Sequence, residues 1–109
     1  MEELEIIIDS ANDTLTIGED TLKLPESPIP RKYESWIANE EDTVGVLLCY
    51  TLGRPYLALK EKTEEAVRKF IESKEYKDRI EIENFPTCFN PIKTGTILRI
   101  QKPITVLLK

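Results

Sequence analysis

Among its 109 residues this chain has no histidine, so it lacks the side chain that most often serves as general base or metal ligand near neutral pH. A Ser-His or Cys-His nucleophile is thereby excluded. Asp9 and the run Glu40-Glu41-Asp42 remain as candidate carboxylate bases, and three adjacent acids read first as a solvated charge run. The sequence contains no phosphate-cradling glycine loop, no dinucleotide fingerprint and no metal-ligand spacing, and so implies neither a cofactor nor a metal. Two thiols are left. Cys49 lies inside an apolar run, where cysteine acts as a small packing residue. Cys88 lies in a proline-rich stretch whose closest cation is Lys93, and a reactive thiolate needs such a charge.

Binding residues are easier to nominate than catalytic ones. Phe85 and Phe89 stand ahead of Lys93, Arg99 and Lys102 on a segment without acids; aromatic faces stack bases and cations follow phosphates, which is the pattern of a single-stranded nucleic-acid binder. The bland alternative is that both phenylalanines cover one end of a sheet. Arg31, Tyr33 and Trp36 form a second set, because Trp, Tyr and Arg are favoured anchors at protein interfaces. Their alternative is a helix laid over a sheet with Trp36 buried.

Charge weighs between these readings. The net charge is −5, which opposes nucleic acid because phosphate neutralisation drives most of that affinity. The charge is also polarised: residues 1–30 hold eight acids against Lys23 alone, net −7, while residues 84–109 hold Lys93, Arg99, Lys102 and Lys109 and no acid, net +4. That leaves a basic edge able to meet an anionic partner. A charged fraction of 32 % with Gln101 as the one glutamine leans toward a thermophilic host. In such a host a Cys49–Cys88 disulfide enters consideration; otherwise two isolated cysteines and an acidic start imply reduced thiols in the cytoplasm. The longest apolar run is far short of 18 residues, so no membrane span is expected.

The elements that would position these residues are organised around Thr43–Lys60. Val44, Val46, Leu48, Tyr50 and Leu52 fall on one parity and Gly45, Leu47, Cys49 and Thr51 on the other, a two-sided apolar pattern typical of a central strand. Gly53-Arg54-Pro55 then reads as a turn into a second strand at Tyr56–Leu59; the rival reading is a short buried helix over 43–52 with Asp42 as its N-cap. The β-preferring residues and Gly45 favour strands. Alternation marks further strands at 4–9, 14–17, 21–24, 79–83, 96–100 and 104–108, with hairpins near residues 10–13 and 101–103. Prolines 25, 28 and 30 make 25–30 a connector, the spacing of Tyr33, Trp36 and Ile37 predicts a short helix near 31–38, and 84–95 reads as a long loop. The main helix is expected at about 64–76, N-capped by Thr63 with Glu64 and Glu65 in its first turn.

Together these features predict a single α+β domain over 1–109: a predominantly antiparallel sheet of five to seven strands with one main helix packed on one face. The functional expectation is a small non-catalytic binding protein acting through protein contacts, cytoplasmic, with sheet edges that offer a route to a homo-oligomer, of the kind found among accessory and virus or mobile-element products. Its contact residues would be Arg31, Tyr33, Trp36, Phe85, Phe89, Lys93, Arg99 and Lys102, and the single-stranded nucleic-acid binder is the alternative.

Overall fold

The computed structural model describes residues 2–27, 31–37, 42–51, 54–84, 88–89 and 92–109. Its elements run β1 (Leu4–Asp9), β2 (Thr14–Ile17), β3 (Asp20–Lys23), β4 (Lys32–Ile37), β5 (Thr43–Thr51), α1 (Arg54–Glu72), a 3-10 turn (Lys77–Arg79), β6 (Ile80–Asn84), β7 (Cys88–Phe89), β8 (Ile92–Gln101) and β9 (Ile104–Leu108). The class is α+β, but the strands form two sheets where one was expected. The first has the order β3-β2-β1-β9, and the second the order β4-β5-β8-β6 with β7 also on β8. All pairings are antiparallel except β1 with β9.

The first sheet begins as the acidic meander that the alternation implies. Asp9 holds the β1–β2 turn, accepting hydrogen bonds on Oδ1 from the amides of Ala11 (3.0 Å) and Asn12 (3.2 Å) and on Oδ2 from Asn12 Nδ2 (2.8 Å). The Asn12 contacts hold its carboxyl below the ordinary range. Asp9 therefore serves as a turn cap of the Asx type. Gly18 turns β2 into β3 at φ +64°, a conformation that costs glycine nothing.

Four sequence expectations are corrected. Residues 101–103 do not close a hairpin: β8 ends in the second sheet and β9 begins in the first, where it lies parallel to β1 with Ile6 opposite Val106. Residues 32–37 are the strand β4, not a helix, and pair with β5 so that Tyr33 faces Leu48 and Trp36 faces Gly45. The segment 56–59 is not a strand, because α1 already starts at Arg54. Pro55 suits a first helical turn, where its missing N–H loses no bond, and Leu57 and Ala58 are helix formers that the fold leaves exposed. Thr63 is consequently no N-cap; it lies mid-helix, fully buried, donating to the Leu59 carbonyl at 2.9 Å. The strand reading of 43–52 holds for Thr43–Thr51. The expected turn residue Gly53 lies outside the described residues, and the expected loop at 84–95 is partly β7 and β8.

One cluster of buried side chains draws on both sheets and the helix. Leu4, Ile6, Ile8, Leu15 and Ile17 come from the first sheet, Val46, Leu48, Ile80, Leu98 and Ile100 from the second, and Val67 and Ile71 from α1. Thr63, Val67 and Ile71 recur every fourth residue, the spacing of one helix stripe. Exposed pairs Glu64–Arg68 and Glu65–Lys69 add only about 0.3–0.5 kcal/mol each. Among the described residues no helix is long and apolar enough to cross a membrane.

Candidate functional site

The register of the second sheet sorts its residues into two faces. Val46, Leu48, Leu98, Ile100 and Ile80 point into the core with α1. The opposite face, reached by the other parity of each strand, carries Lys32, Glu34 and Trp36 on β4, Thr43, Gly45, Leu47, Cys49 and Thr51 on β5, Lys93, Gly95, Ile97, Arg99 and Gln101 on β8, Glu81 and Glu83 on β6, and Cys88 on β7. Successive rows across this face read Lys32–Cys49–Gly95, Glu34–Leu47–Ile97–Glu83 and Trp36–Gly45–Arg99–Glu81. Leu47 and Ile97, 6 % and 8 % exposed, form a small apolar cluster of their own, separate from the main core.

At one end this face opens into a polar cleft of about 580 Å³ lined by Asp42, Thr43, Asp78, Arg79, Glu81, Arg99, Gln101 and Lys102. Most of its cations are already engaged. Arg99 grips Glu83 with two donors, Nε at 3.1 Å and Nη2 at 3.3 Å, the two-pronged geometry that suits a guanidinium. Lys102 Nζ lies 3.4 Å from Asp42 Oδ1, and its amide donates to the Asp42 carbonyl at 3.0 Å. Arg79 donates to the carbonyls of Glu2 (2.9 Å), Gln101 (2.9 Å) and Pro103 (2.8 Å), so it ties the crossover from β8 to β9 to the chain start. Asp78 and Glu81 have no ion-pair partner among the described residues. A cleft with this lining can exchange ion pairs with a partner of mixed charge.

The second sheet thus places Trp36 and Arg99 in one row of its outer register face, with Lys102 at the cleft beside Arg99, while Lys93 falls on the same face six residues away along β8, opposite Thr51. Phe85 lies outside the described residues, and Phe89 falls on the other parity, opposite Ile92 on β8. Arg31 and Tyr33 are drawn elsewhere. Arg31 is 5 % exposed, and its guanidinium donates to the Asp13 carboxylate, the Pro25 carbonyl and, at 3.4 Å, Thr63 Oγ1. The half-buried Tyr33 donates its hydroxyl to the other Asp13 oxygen; burial and the Asp13 carboxylate together push that hydroxyl's pKa well up. These two residues pin β4 and α1 to the β1–β2 turn, where Asp13 adopts φ +55°.

Sequence reasoning missed Thr43, Asp78, Arg79, Glu81 and Gln101 as members of one cleft. The alternation in Arg79–Glu83 does place Glu81 and Glu83 outward. What it lacks is the pairing that sets β6 against the end of β8. Among the described residues no group of acids and cysteines could hold a metal ion. The comparisons with known proteins find no match: no family model, no curated protein and no solved structure resembles the chain.

Proposed function

We propose that this protein is a small non-catalytic binding protein that works through protein contacts made by the outer face of its second sheet. The observation that carries this reading is the register, which sets Trp36 and Arg99 beside the apolar pair Leu47–Ile97 with Glu34 and Glu83 flanking it. An apolar centre, a charged rim and an enrichment in Trp and Arg are the composition of a protein interface. Charge balance on that face favours protein over nucleic acid. Lys32, Lys93 and Arg99 are matched by Glu34, Glu81 and Glu83, which leaves no net positive field for a phosphate backbone. The single-stranded nucleic-acid reading keeps one point in its favour, that Trp36 shares the face with those three cations.

A cytoplasmic setting is supported by the two cysteines. Cys49 on β5 and Cys88 on β7 flank β8 from opposite sides, opposite Gly95 and Lys93 respectively, so two strand spacings across and two residues along separate their Cα atoms by roughly 12 Å. A disulfide requires less than about 7 Å.

The test compares the wild-type chain with Trp36→Ala, Arg99→Ala and the opposite-face control Thr21→Ala as baits in extracts of the native host, alongside retention on single-stranded DNA and RNA at low and high salt. A protein held by wild type and control but lost with both face variants is the expected result. Capture indifferent to all three substitutions sinks the docking reading, and salt-sensitive retention on nucleic acid that both face variants abolish installs the alternative.

A further inference from the structure

Among the described residues the two sheet orders end on β3 and β9 and on β4 and β6. Three of these edge strands carry charge: Asp20 and Lys23 on β3, Lys32 and Glu34 on β4, Glu81 and Glu83 on β6. Charge on an edge strand deters pairing with another chain. The β3 edge is guarded further, since Lys74 Nζ lies 3.4 Å from Asp20 Oδ1 and the Tyr76 hydroxyl donates to Asp20 Oδ2 at 3.3 Å. β9 is the exception. Its sequence ITVLL holds neither a charge nor a proline, and Leu107 and Leu108 are each 44 % exposed. Ile104 and Val106 pack on the core yet stay only partly buried, whereas Leu4 and Ile6 opposite them on β1 are buried.

Backbone bonding shows which side of β9 is filled. The Leu4 amide donates to the Pro103 carbonyl (3.0 Å), the Lys109 amide to the Ile8 carbonyl (2.8 Å) and the Ser10 amide to the Lys109 carbonyl (2.9 Å). Odd-numbered residues therefore turn their peptide groups toward β1, and Ile104, Val106 and Leu108 turn theirs away from it. β4 comes near β9 but makes no ladder with it, and among the described residues no strand pairs with that side.

We infer that this edge pairs with β9 of a second copy of the chain, antiparallel about a two-fold axis centred on Val106, joining the two four-stranded sheets into one. In that register Ile104 stands opposite the partner's Leu108 and Val106 opposite the partner's Val106, so peptide groups that turn away from β1 meet their like. Each such pair exchanges two N–H···O bonds, about six across the seam. Apolar residues oppose apolar residues at these positions, Thr105 opposes the partner's Leu107, and no like charges face each other. Charge complementarity favours a second copy over a foreign strand. Glu3 accepts a hydrogen bond from Thr105 Oγ1 and so lies beside the start of β9, with Glu5 exposed two residues on. The same register brings the partner's Lys109 opposite Pro103, next to that acidic pair. The contact is isologous and closes at two subunits, so it consumes both edges and seeds no fibre. It is independent of the docking reading, because it uses the first sheet and needs no other protein.

Sedimentation equilibrium of the full chain tests the inference. A seam this short belongs to the weak, small-interface class, so the series runs from about 1 µM to 1 mM. The wild-type chain should pass from its 12.6 kDa monomer mass toward twice that value. Leu108→Pro deletes an amide that faces away from β1, which an edge strand tolerates, and takes one seam donor from each copy. It should weaken dimerisation roughly tenfold or more while leaving urea unfolding of the dilute monomer nearly unchanged. Lys109→Glu should weaken it a few-fold, and adding Glu3→Lys should restore it. In the wild-type chain, which needs no altered fold, amide exchange at Val106 and Leu108 should slow as the dimer fills while the amides of β3 do not respond. A chain still monomeric at the top of the series, a dimer indifferent to Leu108→Pro, a charge swap that fails to restore association, or Val106 and Leu108 amides that exchange at the monomer rate in the dimer overturns the inference.

Discussion

Arg31 and Arg99 are both arginines held by a carboxylate, and the protein uses them in opposite ways. The Arg31 side chain is 0 % exposed and its partner Asp13 only 23 %. Arg99 and Glu83 are 22 % and 40 % exposed. A guanidinium taken wholly out of water needs partners for its donors, and the two Nη atoms of Arg31 draw on a carboxylate, a backbone carbonyl and a threonine hydroxyl from three separate parts of the chain. Arg99 keeps its water and meets its acid as a cross-strand neighbour one row along the sheet. The contrast teaches that the charge chemistry of this fold divides by burial: inward charge joins separate elements, and outward charge pairs across neighbouring strands within reach of solvent.

The largest expected effect comes from breaking the inward set. Arg31→Met leaves Asp13 Oδ2 and the Pro25 carbonyl without their guanidinium donor, and truncating one partner of a buried pair costs about 3–5 kcal/mol. Asp13 is partly open to water, so a value near the low end, about 3 kcal/mol, is expected from urea unfolding at pH 7. A loss below about 1 kcal/mol would mean that Arg31 resembles Arg99 after all. Tyr33→Phe removes one hydroxyl donor to the same Asp13, and Thr63→Val removes the bridge between α1 and Arg31. Each should cost about 1 kcal/mol. Both effects should shrink in the Arg31→Met background, since residues of one network do not act additively.

A pH series sharpens the comparison further. The Tyr33 hydroxyl is raised by burial first and by Asp13 second, and Tyr76 is pushed up to about 12 by burial and by Asp20, to which its hydroxyl donates at 3.3 Å. Unfolded tyrosines ionise near pH 10. The native state therefore keeps protons that the unfolded chain has already released, so this contribution is complete below pH 10 and is lost as the pH rises through the folded values. Urea midpoints should hold level from pH 7 to about 9.5 and fall above 10. Tyr33→Phe and Tyr76→Phe should each flatten that fall; an unchanged alkaline limb in both variants would detach the tyrosines from it.

The outline of this division was legible in the sequence where one physical signal stood alone. Alternation marked β1, β2 and β9 at their observed bounds and β5 to within a residue, because strands with one or two buried faces write their parity directly into residue type. Where two signals overlapped, the local one misled. Tyr33, Trp36 and Ile37 suit a helix by spacing, yet Tyr33 and Leu48 meet across strands and the ladder with β5 prevails. The apolar run Tyr56–Leu59 lacks β-branched residues, and Pro55 ahead of it marks a helix start as readily as a turn. The candidate face was the least legible part. Trp36 and Arg99 lie 63 positions apart in the chain, and only the pairing of β4, β5 and β8 puts them in one row across the sheet. The crossover that sends β9 into the other sheet has no local signature, since the same Gln101-Lys102-Pro103 would serve a hairpin.

The smallest expected stability change is at Arg99, and it carries the most information about function. Exposed ion pairs contribute about 0–1 kcal/mol, so Arg99→Ala and Glu83→Gln should each shift the urea midpoint only slightly, with a coupling of a few tenths of a kcal/mol in the double variant. If Arg99 were structural in the manner of Arg31, its loss would destabilise the fold by about 3 kcal/mol and a loss of binding by itself would be uninformative. If the outer face is for recognition, Arg99→Ala leaves unfolding nearly unchanged while the retained partner is lost, and Arg31→Met shows the reverse, weaker folding with binding restored under stabilising conditions. Measuring both properties on both variants makes the two arginines controls for each other. A pair of substitutions that altered stability and retention in the same proportion would erase the distinction between inward and outward charge from which the docking face was read.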